Sequence, residues 1–241
     1  MSKSLIPTKD NPHPLLKLEG KERRYFVIKS VTITIVITVG LYLFPSYYGL
    51  ESITTSTSYF FLDLFGFHPR LFVYEDSFSE ISGFDRYLLD LYDSTRATYP
   101  AISIDTNRSR SNYLIVRACT GMQAGALLLG LIWSTPAEIH DRIRASYVIL
   151  IALFLGNTLR IAAMIAITTI LIENFGLDYE TSWDFAHNWL GRPVGFFGTI
   201  GFTALIEMRG VKILDTITTW IDEGLGLLGS KKNDVSKEIT E

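Results

Sequence analysis

SYVILIALFLGNTLRIAAMIAITTILI, the run Ser146–Ile172, decides the fold class. A bilayer core of about 30 Å is crossed by roughly 20 apolar residues, and this run is long enough to do so. Its polar interruptions are Asn157 and Arg160, inside Leu155-Gly156-Asn157-Thr158-Leu159-Arg160. A charge within a span costs a few kcal/mol even on insertion scales, so Arg160 points to function before anchoring. Asn157 stands one turn before Arg160 on the same helical face, suited to hold the guanidinium or a substrate backbone.

The rest of the chain agrees with a membrane protein. Of 241 residues 48% are apolar, the formal charge is −3 and the mean hydropathy is +0.24, which separates it from soluble enzymes and predicts a single membrane domain. No basic patch is interleaved with aromatics, which argues against a nucleic-acid partner. Tyr25 to Tyr42 is β-branched and aromatic, and Lys17, Lys21, Arg23 and Arg24 precede it, so 25–45 is expected to span as an uncleaved signal anchor with residues 1–24 in the cytoplasm. Further spans are expected at Cys119–Trp133, Ser146–Ile172 and about Val194–Ile206. The connection Ser134–Arg144, with Arg142 and Arg144, belongs inside; Glu173–Asn188 lacks Lys and Arg and belongs outside. Arg209, Lys212, Lys231 and Lys232 return the C-terminus to the cytoplasm.

Between the first two spans, residues 50–117 read as an outer interfacial helix, Ser52–Phe67, followed by a cap. In the cap Arg70–Tyr74 and Tyr113–Val116 have strand character, and a short helix is expected at Phe84–Tyr92. Residues 118–209 form the core of three spans. Leu214, Ile217, Ile221, Leu225 and Leu228 recur at helical spacing opposite Asp215, Asp222 and Glu223, so 210–230 reads as an amphipathic helix on the cytoplasmic membrane face, and 231–241 as a disordered tail. The expected fold is mostly α: a polytopic α-helical membrane protein of about four transmembrane helices, with interfacial amphipathic helices and a small outer-face cap with short strands.

Cys119 is the single cysteine, which excludes an intramolecular disulfide and any multi-cysteine metal site; no metal or cofactor is expected. Thr135 back to Cys119 is sixteen residues, Arg144 to Arg160 sixteen, and Arg209 back to Arg192 seventeen. At 1.5 Å per residue each is roughly 24 to 26 Å, which puts Cys119, Arg160 and Arg192 at one level just under the outer surface. His187, in the outer loop, can fold onto the same level. A thiolate nucleophile needs a cation or base beside it, an acyl intermediate needs donors for its oxyanion, and arginine offers both charge and a planar fork. Each residue also has a bland reading: a packing cysteine, an interfacial anchor at Arg192 beside Pro193, an ordinary interface histidine.

Ala118-Cys119-Thr120-Gly121, then Asn157-x-x-Arg160 in the next long span, then His187 before a Gly-rich last span, resembles the exosortase/archaeosortase family of membrane cysteine transpeptidases, and the compact chain looks closer to the short archaeosortases. The resemblance covers about Arg70 to Phe202. Thr120 stands where family members more often carry Ser. The resemblance implies a cysteine endopeptidase that cleaves the C-terminal sorting signals of exported proteins through a Cys119 thioester. Such partners carry a short motif, a hydrophobic helix and a basic tail, and the acyl group passes to a membrane lipid or other acceptor. It implies catalytic roles for Cys119, Arg160 and His187, with Arg192 as the alternative third residue, and positioning roles for Asn157 and Thr120. It places the chain in the cell membrane with both termini cytoplasmic and the site near the outer face. The rival readings are a protease in which water alone resolves the thioester, and a non-enzymatic membrane subunit or transporter in which Arg160 is structural.

Overall fold

The computed structural model describes residues 5–8, 13–43, 48–75, 98–108 and 110–238. Among these the chain is mostly helical: α1 (Gly20–Tyr42), α2 (Tyr48–Leu64), α3 (Met122–Ser134), α4 (Ile139–Phe175), α5 (Tyr179–Asp184), α6 (Arg192–Met208) and α7 (Ile213–Glu238). A small sheet has strands β1 (Arg70–Glu75), β2 (Thr98–Asp105) and β3 (Arg110–Leu114) in that spatial order, both pairs antiparallel. The helix expected at Phe84–Tyr92 lies outside the described residues.

Among the described residues two helices, α1 and α4, are long and apolar enough to cross a membrane. A third crossing arises if the run Tyr179–Met208 and the following Ile213–Gly226, which meet at 111°, count as one bent span. The helix α3 has 13 residues, about 20 Å, and by itself falls short of a 30 Å core. By contrast α4 has 37 residues, about 55 Å, and extends past the expected Ser146–Ile172 at both ends. Its added first turn, Ile139-His140-Asp141-Arg142, is polar, and periodic apolar content reports only the part of a helix that leaves water. The same holds for α1, which begins at Gly20 because Lys21, Glu22, Arg23 and Arg24 are good helix formers.

The chain divides into two compact units. The first comprises Met1–Leu41, Gly125–Leu150 and Gly201–Glu241, and its core gathers Leu128, Ile132, Ile149, Ile206, Val211 and Ile213. Polar side chains tie its helices together. Thr34 Oγ1 shares its proton between the Gly130 carbonyl at 3.3 Å and Ser134 Oγ at 2.9 Å, and a Cβ on Gly130 would stand 2.9 Å from the Thr34 carbonyl oxygen, so glycine sets the closeness of α1 and α3. Trp220 Nε1 donates to Ser30 Oγ at 2.7 Å, and Thr135 and Thr216 share a hydroxyl bond of 2.9 Å.

The helix α7 packs Ile213, Ile217 and Trp220 on the core of this unit, yet part of its apolar content faces outward and two of its carboxylates inward. Leu214, Ile221 and Leu225 are exposed, whereas Asp215 and Glu223 are buried, Asp215 against His13 Nδ1 at 2.9 Å and Glu223 between Arg23 and Arg24. An apolar stripe turned out of the unit suits a helix whose outer surroundings are lipid. The helix continues to Glu238, into the segment whose composition reads as a disordered tail; low hydrophobicity removes a reason to pack but leaves local helix propensity intact.

The second unit comprises Tyr42–Ala124 and Ile151–Ile200. Leu62 of α2, Ile102 and Ile104 of β2, Tyr113 of β3, and Ile161 and Ile165 of α4 form its core, with Ala186. Ser58 Oγ on α2 donates to the Thr158 carbonyl at 3.4 Å. The expected strand Arg70–Tyr74 is β1, whereas β3 covers Arg110–Leu114 and shares only Tyr113 and Leu114 with the expected Tyr113–Val116; the central strand β2 joins the two. Pro100 obscures β2 in the sequence, since proline seldom occupies a central strand. Its carbonyl accepts Ile115 N–H at 3.0 Å just beyond the end of β3, so its missing N–H faces the same way, where the ladder has already ended.

Candidate active site

The backbone leaves β3 through Ile115 and Val116 and tightens into a 3₁₀ turn, Arg117–Thr120, in which Cys119 N–H donates to the Val116 carbonyl at 2.8 Å. Gly121 then takes a left-handed conformation, φ +72°, and α3 starts at Met122. Thr120 is buried and its Oγ1 accepts Met122 N–H at 3.3 Å, capping α3. Its position is therefore explained by the start of the helix; the substrate-positioning role expected for it remains a proposal. The outcome of this turn is a half-buried Cys119 thiol at the N-terminal end of an apolar helix, packed against the core of the second unit.

From α4, Asn157 is buried and donates Nδ2 to the Cys119 carbonyl in a very short contact. Asn157 thus holds the backbone of Cys119, a more specific job than the substrate or guanidinium contact the sequence suggested. A Cβ at position 121 would sit 3.2 Å from Asn157 Cγ, so both its φ and this approach require glycine there. One turn along α4, the Arg160 guanidinium lies within electrostatic reach of Cys119. Its Nη1 donates to the Gly191 carbonyl at 3.4 Å, and its Nε is buried without a hydrogen-bond partner among the described residues.

The acceptor at Gly191 comes from an unusual segment. Phe185–Gly191 is π-helical, and Arg192 N–H reaches back five residues to the His187 carbonyl. Pro193 supplies no N–H and its ring crowds the carbonyl four residues earlier, which accounts for the widened turn just before it. Gly191 and Gly195 let this stretch approach α4: a Cβ at 191 would stand 2.3 Å from Met164 Sδ, and one at 195 would stand 2.9 Å from Arg160 Nη1.

Cys119, Asn157 and Arg160 are therefore brought together, and His187 and Arg192 differ from them. His187 is half-buried, stacks on Trp183 at 5.8 Å and approaches Asn188 Oδ1 at 3.3 Å, with no hydrogen bond to Cys119 or Arg160 among the described residues. It lies four residues before Gly191, about one turn from the carbonyl that receives Arg160. The Arg192 side chain is exposed and forms no ion pair among the described residues. Trp183 extends an aromatic cluster through Tyr179 and Tyr113, with centroid separations of 5.7 to 6.4 Å. Burial pushes the Tyr113 phenol up to about 12.

Gly121, Gly191 and Gly195 permit these close approaches, and sequence reasoning gave none of them a role of its own. Their signal was the glycine two residues after Cys119 and the Gly191-Arg192-Pro193-Val194-Gly195 run, which hydropathy reads only as a span boundary. Among the described residues no group of three or more His, Cys, Asp or Glu side chains could hold a metal ion. No protein-family model, curated protein or solved structure matches the chain.

Proposed function

We propose that the chain is a membrane-embedded cysteine endopeptidase and transpeptidase of the exosortase/archaeosortase kind, acting on C-terminal sorting signals of exported proteins. The observation that carries this reading is the convergence of Cys119, its carbonyl held by Asn157, with the Arg160 guanidinium at the start of α3. A cysteine kept only for packing has no need of an arginine beside it whose buried Nε lacks a partner among the described residues.

In this reading Cys119 Sγ attacks the carbonyl carbon of the scissile peptide, forming an S–C bond while the C–N bond breaks. The developing oxyanion takes a donor from Arg160 and lies at the positive end of α3. The departing amine takes a proton from His187, whose imidazole lies four residues before the Gly191 carbonyl that receives Arg160. An acceptor nucleophile, a lipid amine or similar headgroup, then takes the acyl group and regenerates the thiol. The four-crossing topology, with both termini cytoplasmic and the site near the outer face, belongs to the same proposal. It is supported by the apolar lengths of α1 and α4 and by the distribution of Lys and Arg along the chain.

The test is co-expression with an exported reporter ending in a motif, an apolar helix and a basic tail. Wild type is expected to shorten the reporter, and Cys119→Ala to leave it intact at normal membrane abundance. Processing by Cys119→Ala would overturn the cysteine mechanism. Mass spectrometry of the new C-terminus separates transfer, which leaves an adduct, from hydrolysis, which leaves a free carboxylate.

A further inference from the structure

A second charged cluster lies in the first unit, apart from the thiol chemistry. Glu223 of α7 is buried and accepts from Arg23 Nε at 2.9 Å through one oxygen and from Arg24 Nε at 2.8 Å through the other. One carboxylate thus fixes two adjacent guanidiniums, and both bonds use Nε. Among the described residues the terminal nitrogens of neither fork make a hydrogen bond. Beside them opens a cleft of about 350 Å³ lined by Gly20, Lys21, Arg23, Arg24, Glu223 and Gly226. Three cations face one anion there, so the cleft keeps an excess of two positive charges; Glu22 and Asp222 do not line it.

The surroundings of the cleft are apolar in one direction. Lys21, Tyr25 and Ile28 are spaced i, i+4, i+7 on α1, and Tyr25 and Ile28 are 69% and 68% exposed. Ile35 and Val39 continue that exposed column along the helix. On α7, Ile221 and Leu225 are exposed within three residues of Glu223. A fork of fixed guanidiniums at the end of an exposed apolar column matches a molecule with an anionic phosphate at one end and acyl chains at the other.

We infer that the cleft between the start of α1 and α7 binds the phosphate of an anionic phospholipid headgroup, with Lys21, Arg23 and Arg24 as its ligands and the Tyr25–Val39 face of α1 against the acyl chains. Glu223 serves as the positioning residue that holds both arginines open toward the cleft. Bound lipid would brace α7 against α1. The inference rests on the membrane character of α1 and is independent of Cys119.

The experiment uses the full chain in nanodiscs of phosphatidylcholine with and without phosphatidylglycerol, reading retained lipid by native mass spectrometry and the thermal midpoint of the protein. Wild type is expected to retain phosphatidylglycerol in preference to phosphatidylcholine and to melt higher with it. Lys21→Gln, which leaves the Glu223 pairs intact, should weaken that preference by about fivefold, the worth of one basic residue at an anionic surface. Arg23→Lys with Arg24→Lys should weaken it further, since lysine keeps charge and loses the fork. Inorganic phosphate added to phosphatidylcholine nanodiscs should leave the midpoint unchanged. Equal retention of the two lipids, or a preference undiminished in Lys21→Gln, overturns the inference. A phosphate-induced shift as large as that of phosphatidylglycerol overturns the lipid assignment in favour of a free anion. Sorting activity enters none of these readouts, so their failure and that of the proposed chemistry are distinguishable.

Discussion

Asn157 and Cys119 are 38 positions apart in sequence, and the Asn157 side-chain amide donates to the Cys119 carbonyl. This bond fixes the 3₁₀ turn carrying the thiol to the same helix that presents Arg160, so thiol and guanidinium share one support. Removing the amide takes away a part-buried hydrogen bond, which is worth about 0.5–1.5 kcal/mol. Asn157→Ala is therefore expected to lower the thermal midpoint measurably and to reduce reporter processing more than abundance. Unchanged processing would remove Asn157 from the positioning of Cys119.

Gly195 supplies a sharper geometric test because it has a matched control on the same helix. Gly195→Ala would bring a Cβ to 2.9 Å from Arg160 Nη1, and the guanidinium would have to shift, whereas Gly201→Ala meets nothing within 4 Å. Roughly tenfold or greater loss of processing is expected for Gly195→Ala, in line with the sensitivity of catalysis to sub-ångström displacement. Gly201→Ala should be active, and its helix gains about 1 kcal/mol of propensity. Equal activity of the two variants would show that the Arg160 position is not critical.

Gly121 tests the turn itself. Its φ of +72° and its contact with Asn157 both disfavour a side chain, so Gly121→Ala should slow thiol labelling or processing together with the melting midpoint. Thr120→Ser, which keeps the cap on Met122 N–H, should retain both. A fully active Gly121→Ala protein would mean that the turn tolerates another path.

His187 and Arg192 are separated by their surroundings. The half-buried ring of His187 sits on the π-helical segment that also carries the Gly191 acceptor, and the Arg192 side chain faces outward. His187→Ala is expected to reduce turnover strongly and to flatten the pH–rate profile, with Arg192→Lys and Arg192→Ala both mild. An active His187→Ala enzyme paired with an inactive Arg192→Lys enzyme would assign the third role to Arg192.

Tyr113 gives a pH-dependent signature of the aromatic cluster. Its folded-state value of about 12 lies above the ordinary phenol value of about 10, so folding favours the protonated form. The corresponding stability is fully present below pH about 10 and is lost as pH rises toward 12. Alkaline unfolding should begin in that window in wild type, and Tyr113→Phe, which keeps the ring against Tyr179 and Trp183, should blunt it. An identical alkaline profile in the variant would place the titration elsewhere.

The apolar runs at α1 and α4 and the strand character of β1 and β3 were legible in the sequence because each depends on local periodicity and length. The amphipathic stripe of α7 was legible too, but the partners of its buried carboxylates were not. Hydropathy cannot say that Asp215 and Glu223 would be drawn inward by His13, Arg23 and Arg24, since those partners are some 200 positions away. The central strand β2 was hidden by Pro100, whose missing donor is harmless only because β3 ends beside it. At the site, residue chemistry alone singled out Cys119 and Arg160: one is the lone thiol, and the other is a charge where charge is costly. Only the tertiary structure decided that Asn157 holds the Cys119 carbonyl, that Gly195 makes room for the guanidinium, and that the Gly191 carbonyl comes to accept from Arg160. Those are distances between segments far apart in the chain, fixed by packing, and no local pattern encodes them.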